Sequence, residues 1–346
     1  MSVGSQTGYR IQTWGSDPVW ESFDRAEPGP GEVLIEVEAC GVGLTVLNAI
    51  RGDLGNDPGL LPRVPGHELV GVLTGAGADA DRGLVGRRVV AYFYLNCGSC
   101  LECRAGREPL CQRLGGFVGV HGDGGYAPFV VLPASNVIPI PQSLDPVAAT
   151  VVPDAVATPV HVSTRAELTT EDRVVVVGAG GGVGIHMIQV SRLTTADVVG
   201  LDVTSEKLEA IESTGIRAVD SSDISSLPSL FTDGPPTVVI DLVGLDTTGS
   251  WAVDNLAPGG RLVVLTTFVD QPVTVQYRDF VFREISLLGS RYATKAEVAG
   301  AAELVAQGRV QPVIGQVVGP DDLLPLHERL RAGELVGRGA LDWSLR

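Results

Sequence analysis

The spacing of apolar residues divides the chain into two differently built parts. Up to about residue 150 the apolar runs are short, as at 32–39, 69–74 and 88–92, and turn residues separate them. Runs of this length between turns rich in glycine and proline are typical of β-strands in a barrel or sandwich. We therefore expect a β-rich first part that forms a partly open barrel.

Beyond about residue 153, longer apolar runs alternate with helical patterns. Residues 173–178 form a continuous apolar run, which is typical of a strand buried on both faces of a parallel sheet. Helical patterns and further apolar runs then alternate at 183–192, 197–202, 205–213, 237–241 and 261–265. This order predicts a doubly wound α/β domain with right-handed crossovers. From about residue 290 we expect one helix, at 296–307, followed by strand-like segments.

A glycine-rich segment, Gly-Ala-Gly-Gly-Gly-Val-Gly at 178–184, lies between a predicted strand and a predicted helix. Small residues at this place let the backbone approach a pyrophosphate, which then meets the helix N-terminus. The segment therefore indicates a dinucleotide-binding loop, although a tight turn without a ligand would contain the same residues. The expected contacts are Gly178, Gly181, Gly182, Val183 and Gly184.

An acidic residue ends the second predicted strand of this part. Asp202 lies 18 residues beyond Gly184, where a carboxylate accepts hydrogen bonds from the ribose of adenosine. Because an aspartate there repels a 2′-phosphate, the sequence favours NAD over NADP. Lys207 follows about one helical turn later and is placed to contact the same ribose. The alternative is an aspartate that caps a turn beside a solvated lysine.

Four of the five cysteines, Cys97, Cys100, Cys103 and Cys111, lie within fifteen residues. In a chain without a recognisable secretory signal, such a cluster indicates a metal site rather than disulfides. Four thiolates suit one tetrahedral Zn²⁺ and leave no open coordination position, so we expect a structural zinc. The last gap is longer than in bacterial ferredoxins, which argues against an iron–sulfur cluster. Four reduced cysteines without a metal are the alternative.

Composition and charge narrow the classes of partner. The 346 residues allow two domains, and the net charge of −16 argues against binding to a nucleic-acid backbone. The longest apolar stretch, at 174–188, is shorter than a membrane span, and the first residues lack the pattern of a signal peptide. We therefore expect a cytoplasmic protein that acts on a small molecule, with neither nucleic acid nor a membrane as partner.

Several short motifs give the chain a family resemblance. They are Pro-Gly-His-Glu-Leu-Val-Gly at 65–71, Gly-Gly-Tyr-Ala at 124–127, Asp-Leu-Val-Gly at 241–244 and Gly-Arg-Gly at 337–339. With the glycine loop and the cysteine cluster, they resemble the zinc alcohol dehydrogenase branch of the medium-chain dehydrogenase/reductase superfamily. The resemblance implies a GroES-like β-barrel catalytic domain at 1–155 and 291–346, with a structural zinc loop at 97–111. It also implies a Rossmann NAD-binding domain at 156–290.

The resemblance further implies roles for single residues. His67 and Asp154 match ligands of the family's catalytic zinc, and Glu68 stands beside His67. Thr45 matches the hydroxyl that passes on the substrate proton. Arg338 is expected on the cofactor pyrophosphate, and Thr266 at the strand end that faces the nicotinamide.

One position departs from the family. The residue at the place of the first cysteine ligand of the catalytic zinc is Gly43, and Cys40 points to the opposite face of an extended segment. His67, Glu68 and Asp154 then either form a weaker zinc site or leave His67 and Asp154 as a hydrogen-bonded pair that donates a proton or is structural. A catalytic zinc is therefore doubtful.

Three functions are compatible with these residues. The first is an NAD(H)-dependent oxidoreductase that interconverts an alcohol and a carbonyl on a medium-sized apolar substrate. Its substrate pocket would be lined by Tyr92, Phe93, Tyr94 and Phe268. The second is a zinc-independent reductase of a polarised C=C or C=N bond, and the third is a non-catalytic dinucleotide-binding protein.

The strand-like stretches at 272–277 and 285–288 lie where the family's Rossmann domains pair edge to edge, so a homodimer or homotetramer is expected.

Overall fold

The computed structural model describes residues 4–266 and 272–345, and the chain divides into two compact units. The first unit contains the chain up to Ala157, the segment Ala293–Gly308 and the chain from Ile314 onward. The second unit contains Thr158–Tyr292 and Arg309–Val313. Phe268, which the sequence analysis assigns to a substrate pocket, lies outside the described residues.

The strands are, in chain order, β1 (Ser5–Arg10), β2 (Val19–Asp24), β3 (Glu32–Val42), β4 (Glu68–Ala76), β5 (Arg88–Ala91), β6 (Phe129–Pro133), β7 (Val137–Pro139), β8 (Arg173–Val177), β9 (Asp197–Asp202), β10 (Arg217–Asp220), β11 (Val238–Asp241), β12 (Arg261–Val264), β13 (Ser286–Gly289), β14 (Ile314–Val318) and β15 (Arg338–Asp342). The α-helices are α1 (Leu44–Arg51), α2 (Leu101–Arg104), α3 (Pro146–Ala149), α4 (Ala157–Arg165), α5 (Gly184–Arg192), α6 (Ser205–Ser213), α7 (Asp246–Asn255), α8 (Tyr277–Arg283), α9 (Lys295–Ala306) and α10 (Leu323–Arg331). In the part of the chain that the structure describes, no helix has the length and apolar character needed to cross a membrane.

In the first unit, β3 is the strand around which the main sheet is organised. It pairs along its length with β4, through its first half with β6 and through its second half with β15, in each case antiparallel. The sheet has the order β14-β15-β3-β4-β5-β7, with β6 attached to β3. Buried apolar residues of β3, among them Val33, Ile35 and Val37, belong to the main core of this unit.

The second unit contains a six-stranded parallel sheet in the order β10-β9-β8-β11-β12-β13. The chain runs outward from β8 to β10 and then returns to β11 beside β8, which makes the sheet doubly wound. The central strands β8 and β11 are apolar because helices cover both faces, with Ile188 of α5 in one core and Trp251 of α7 in the other. The predicted α/β class is confirmed, as is the helix expected at 296–307, which is α9. The expectation of a single helix beyond residue 290 is wrong, because α10 follows.

The strand predicted at 272–277 is wrong. Residues 272–276 have no regular structure, and α8 begins at Tyr277. Asp279 and Arg283 of α8 have their charged groups 3.9 Å apart, and an i,i+4 pair of this kind favours a helix over a strand. The second stretch of that prediction, at 285–288, overlaps β13, which lies at one edge of the parallel sheet.

Gly71, in the middle of β4, is a position where the fold of the first unit excludes a side chain. A Cβ there would overlap the carbonyl oxygen of Glu36 and lie 2.7 Å from Cγ2 of Ile35. We expect Gly71→Ala to lower the free energy of unfolding by about 1–3 kcal/mol, the usual cost of overfilling a core. Urea denaturation followed by circular dichroism measures this change.

Gly300 of α9 is the matched control, because nothing lies within 4 Å of a Cβ added there. Gly300→Ala should raise the free energy of unfolding by about 0.5–1 kcal/mol, since alanine favours the helix interior. If both variants unfolded at the same urea concentration as the original chain, the packing around Gly71 would be looser than described.

Candidate cofactor site and active site

The loop between β8 and α5 needs glycine at two places for different reasons. Gly178 has a φ of +79°, a conformation that favours glycine. Gly184 begins α5, and a Cβ there would overlap the carbonyl oxygen of Gly178. Gly181, Gly182 and Val183 lie directly before α5. The backbone of this loop therefore lies against the N-terminus of a helix, the arrangement that suits a pyrophosphate.

Asp202, at the end of β9, holds this loop in place. Its side chain is buried, and its Oδ2 accepts a hydrogen bond of 2.8 Å from the backbone nitrogen of Gly180. Its Oδ1 accepts a second bond of 2.9 Å from the nitrogen of Val203 and lies 4.0 Å from Nζ of Lys207. The structure thus brings together the predicted loop, aspartate and lysine within the second unit.

Gly180 is a residue of this site that the sequence analysis missed. A Cβ at Gly180 would overlap the Cβ of Lys207 and lie 3.1 Å from Oδ2 of Asp202. Three consecutive glycines carry no signal that distinguishes the one facing the aspartate, so only the structure identifies it.

A cleft of about 710 Å³ opens beside Asp202 in the second unit. Its lining combines apolar side chains, such as Ile224 and Val243, with the hydroxyl groups of Ser222 and Thr247. Apolar walls next to a buried carboxylate suit a planar base that is joined to a ribose. The sequence analysis assigned no role to Ser222 or Ile224.

Thr266 lies just beyond β12 and packs against the turn that follows β11. Gly244 of that turn has a φ of +71°, and a Cβ there would lie 3.0 Å from Cγ2 of Thr266 and overlap its Oγ1. Oδ1 of Asp241 accepts bonds of 2.9 Å from the backbone nitrogens of Val243 and Gly244. The motif at 241–244 is therefore a tight turn that closes against Thr266.

The four clustered cysteines converge in the first unit. Their Sγ atoms lie within 4.8 Å of one another, with 3.4 Å between Cys100 and Cys103 and 3.9 Å between Cys97 and Cys103. A tetrahedral zinc with Zn–S bonds of about 2.3 Å would separate its sulfurs by roughly 3.8 Å. All four cysteines are free thiols, and their spacing fits a single zinc ion.

Nitrogen donors surround these sulfurs. The backbone nitrogen of Cys97 donates to Sγ of Cys111 at 3.3 Å, and Nδ2 of Asn96 donates to Sγ of Cys103 at 3.6 Å. A hydrogen bond from the backbone of Ser99 lowers the pKa of Cys97 to about 5. Such donors favour the thiolate form that a metal binds, whereas burial raises the pKa of Cys103 to about 11.

His67 lies directly before β4 in the first unit and is almost completely buried. The ring of Phe93 packs against it with 4.3 Å between the ring centroids, and its Nε2 lies 3.5 Å from Oδ2 of Asp154. Nε2 is shielded from solvent and makes no hydrogen bond with any residue in the described part of the chain. Asp154 lies on a single turn of π-helix at Val152–Val156, a feature that is frequent at functional sites.

Arg338 binds both carboxylates beside His67. Its Nε and Nη2 donate to the two oxygens of Glu68 at 2.9 and 2.6 Å, and Nη2 also donates to Oδ2 of Asp154 at 2.7 Å. The side chains of Arg338 and Glu68 are 5% and 0% exposed. The expected contact of Arg338 with a cofactor pyrophosphate stays a prediction. The sequence analysis missed the pairing with Glu68 and Asp154.

Burial and charge act in opposite directions on this pair. Burial raises the pKa of Glu68, although the Arg338 guanidinium opposes that rise. Burial pulls the pKa of Arg338 down, but the carboxylates of Glu68 and Asp154 outweigh it and raise that pKa above its ordinary value. Arg338 is therefore a permanent cation at this site.

Gly41 of β3 and Gly43, directly after this strand, leave room for the ion pair. Gly41 pairs with Glu68 of β4, and Gly43 follows Val42, which pairs with Gly339 of β15. A Cβ at Gly41 would lie 2.9 Å from the Cβ of Glu68. A Cβ at Gly43 would overlap the guanidinium carbon of Arg338 and lie 2.6 Å from its Nη2.

The remaining predicted residues lie on neighbouring elements of the first unit. Thr45 is half-buried in the first turn of α1, two residues after Gly43. Tyr92, Phe93 and Tyr94 are buried, and the hydroxyl of Tyr92 donates to the carbonyl of Ala293 at 2.8 Å. Phe117, which the sequence analysis did not consider, packs on Phe93 and Tyr94 with 5.1 Å between ring centroids in each case.

Two protein families match the chain. The alcohol dehydrogenase GroES-like domain matches residues 29–142, and the zinc-binding dehydrogenase domain matches residues 182–307. These segments contain the cysteine cluster, His67 and Asp202.

Individual proteins are similar to this one over nearly the whole chain. An alcohol dehydrogenase of Geobacillus stearothermophilus is 31% identical over 92% of this chain and 93% of its own length. Acryloyl-coenzyme A reductase of Metallosphaera sedula is 29% identical over 97% of this chain and 96% of its own. The solved structure of acetophenone reductase from Geotrichum candidum, a complex with NAD, superposes with a TM-score of 0.85 at 26% identity, covering 99% of this chain and 98% of that one.

The matches agree with the architecture of both units. The doubly wound sheet with its glycine loop lies in one unit, and the cysteine cluster and the buried His67 lie in the other. The chain therefore belongs to the zinc-binding alcohol dehydrogenase branch of the medium-chain dehydrogenase/reductase superfamily and is an oxidoreductase of that type.

Proposed function

We propose that this chain is an NAD(H)-dependent oxidoreductase that interconverts an alcohol and a carbonyl on a medium-sized apolar substrate. The observation that carries the proposal is Asp202, a buried carboxylate tied to the glycine loop at the edge of an apolar cleft. The NAD complex of acetophenone reductase, a similar structure, supports the same cofactor and the same class of reaction. We assign cofactor binding to the second unit and the chemistry to the first.

The residues of the second unit fit NAD. Asp202 would accept hydrogen bonds from the adenosine ribose, with Lys207 beside it, and the backbone of the loop at 178–184 would hold the pyrophosphate. Arg338 and Thr266 are the further contacts that the family resemblance implies. The nicotinamide, when bound, supplies or accepts the hydride. A negative charge at Asp202 disfavours the additional phosphate of NADP.

The residues of the first unit support a proton path but lack one family feature. We propose that Gly43 stands in place of the cysteine that holds the catalytic zinc in relatives. Thr45 would then exchange a proton with the substrate hydroxyl, and His67 with Asp154 would form the buried polar group behind it. Phe93 and its aromatic neighbours make the surroundings of His67 apolar, which suits an apolar substrate.

The cysteine cluster fits a structural zinc. Cys97, Cys100, Cys103 and Cys111 would supply four thiolates, so that the ion would have no open position for substrate. Its contribution would be to stabilise the loop at 97–111. This zinc is separate from any metal beside His67.

A second candidate function is the reduction of a polarised C=C or C=N bond without zinc. The observation that favours it is the engagement of Glu68 and Asp154 by Arg338, which removes these carboxylates from metal binding. Acryloyl-coenzyme A reductase, a similar protein, is named for a substrate with a polarised C=C bond. Such a reaction needs a hydride donor and a proton source.

A homo-oligomer is the assembly that we propose. β13 is the edge strand of the parallel sheet, and Leu287 on it is 42% exposed. On α8, which precedes it, Tyr277, Val281 and Phe282 are 91%, 70% and 77% exposed. A strand edge that has no partner among residues 4–266 and 272–345, next to exposed apolar side chains, suits pairing with a second copy.

Turnover tests the proposed reaction directly. Oxidation of NADH should be observed with apolar aldehydes or ketones, and the second candidate predicts it with enones or imines instead. Thr45→Val should lower kcat at least tenfold while NADH binding stays unchanged, because the hydroxyl is lost and the second unit is untouched. His121→Asn is the control, since His121 is not among the proposed site residues. No turnover with any of these classes would support a non-catalytic dinucleotide-binding protein.

Cofactor affinity tests the role of Asp202. Asp202→Asn should raise the Kd for NADH by roughly 10- to 100-fold, the range expected when hydrogen bonds to a charged acceptor weaken, as measured by fluorescence titration. The discrimination against NADPH should shrink at the same time. Asp197→Asn, at the exposed opposite end of β9, is the matched control and should change neither affinity. An unchanged Kd in Asp202→Asn would remove the proposed ribose contact.

Zinc content tests the cysteine cluster. Cys111→Ser should remove one equivalent of zinc from the purified chain and lower its melting temperature, because the loop at 97–111 loses its cross-link. Cys40→Ala is the control: Cys40 is buried outside the cluster, so zinc content should not change. Equal zinc in Cys111→Ser and the original chain would contradict a four-cysteine site.

A further inference from the structure

A cation of the chain itself fills the space beside His67 where relatives are expected to bind a metal. We propose that the guanidinium of Arg338 takes the place of the catalytic zinc, so that this chain holds one zinc, in the cysteine cluster, and none at His67. The inference rests on the proposed function, because it assigns that site to the chemistry.

The first step of the argument is the conformation of Gly43. Its φ of −133° and ψ of 176° are extended values that any residue adopts, so the backbone does not require glycine there. What requires glycine is space, since a Cβ at this position would overlap the guanidinium of Arg338. A cysteine at position 43 would therefore force the guanidinium of Arg338 out of its observed place.

The second step is the state of the remaining candidate ligands. His67, Glu68 and Asp154 have ligand atoms within 4.8 Å of one another, which alone would suggest a metal site. However, both oxygens of Glu68 and Oδ2 of Asp154 already accept hydrogen bonds from Arg338. A divalent ion bound to these oxygens would lie next to a permanent positive charge. The donor set therefore does not fit a second zinc.

The third step is what holds Arg338 in its observed place. The residue is 4% exposed and begins β15, whose pairing with β3 sets the guanidinium over Gly43. If the guanidinium left, Glu68 would be a fully buried charge without a partner, which is strongly unfavourable. The arginine thus satisfies the carboxylates that a metal would otherwise neutralise.

Replacing a metal ion by a guanidinium changes the chemistry that the site can supply. A guanidinium is not a Lewis acid and acts through N–H donors in a fixed plane. Nε and Nη2 of Arg338 donate to the carboxylates of Glu68 and Asp154. Arg338 is accordingly a positioning residue for Glu68 and Asp154.

The test is a count of zinc per chain by elemental analysis, which needs neither substrate nor cofactor. The original chain should contain one equivalent, and Cys111→Ser should contain none. The double variant Gly43→Cys with Arg338→Ala restores a thiolate and removes the guanidinium, so it should contain two. Gly43→Cys alone is the matched control and should stay at one, with a lowered melting temperature, because the arginine still fills the space.

Two results would overturn the inference. One is a second zinc in the original chain that persists in Cys111→Ser and disappears in His67→Ala. The other is a double variant that is folded by circular dichroism yet still contains one zinc. If the double variant does not fold, the counts for the original chain and Cys111→Ser decide the question by themselves.

The outcome is separable from that of the proposed function. One zinc per chain without turnover of any carbonyl, enone or imine would support the inference about Arg338 and contradict the proposed reaction. Two zinc ions per chain with steady turnover of a ketone would contradict the inference and support the proposed reaction.

Discussion

The buried ion pair between Glu68 and Arg338 is the constraint on which the first unit depends. The two residues are 270 positions apart in sequence, and neither can remain charged in the interior without the other. Because they lie on strands that flank β3 on opposite sides, the side chains meet over β3, where Gly41 and Gly43 leave the space. One polar contact thus ties together β4, β15 and the end of β3. Through Asp154 it also includes the π turn.

The second unit is organised by a more local contact. Asp202 and the glycine loop meet at adjacent strand ends, which is where a parallel sheet brings consecutive β–α turns together. Its elements were predictable because each signal lies within a short window: β8 and β11 are continuous apolar runs, and the loop at 178–184 is almost entirely glycine. Even so, the contact of Gly180 with Asp202 depends on how the loop folds back, which composition does not specify.

The candidate active site was predictable only in part, for a related reason. His67, Glu68, Asp154 and the cysteines were identified because motifs and spacing mark residue types. The partner of Glu68 could not be identified, since it depends on the register of β15 against β3, and register is a property of distant segments. The alternating valines before Tyr277 led to the wrong prediction of a strand at 272–277. They show the period of a strand, but no strand in the described part of the chain pairs with them.

The same geometry explains why a single residue cannot convert one kind of site into the other. A thiolate at position 43 needs the space that the guanidinium fills, and a metal needs carboxylates that the guanidinium already neutralises. Removing Arg338 alone leaves Glu68 buried without a counter-charge, and adding the cysteine alone displaces the guanidinium that neutralises Glu68. Either single change is therefore less favourable than both together. Gly43 and Arg338 therefore depend on each other. The small size of Gly43 leaves room for the guanidinium, and that room determines which cation lies beside His67, Glu68 and Asp154.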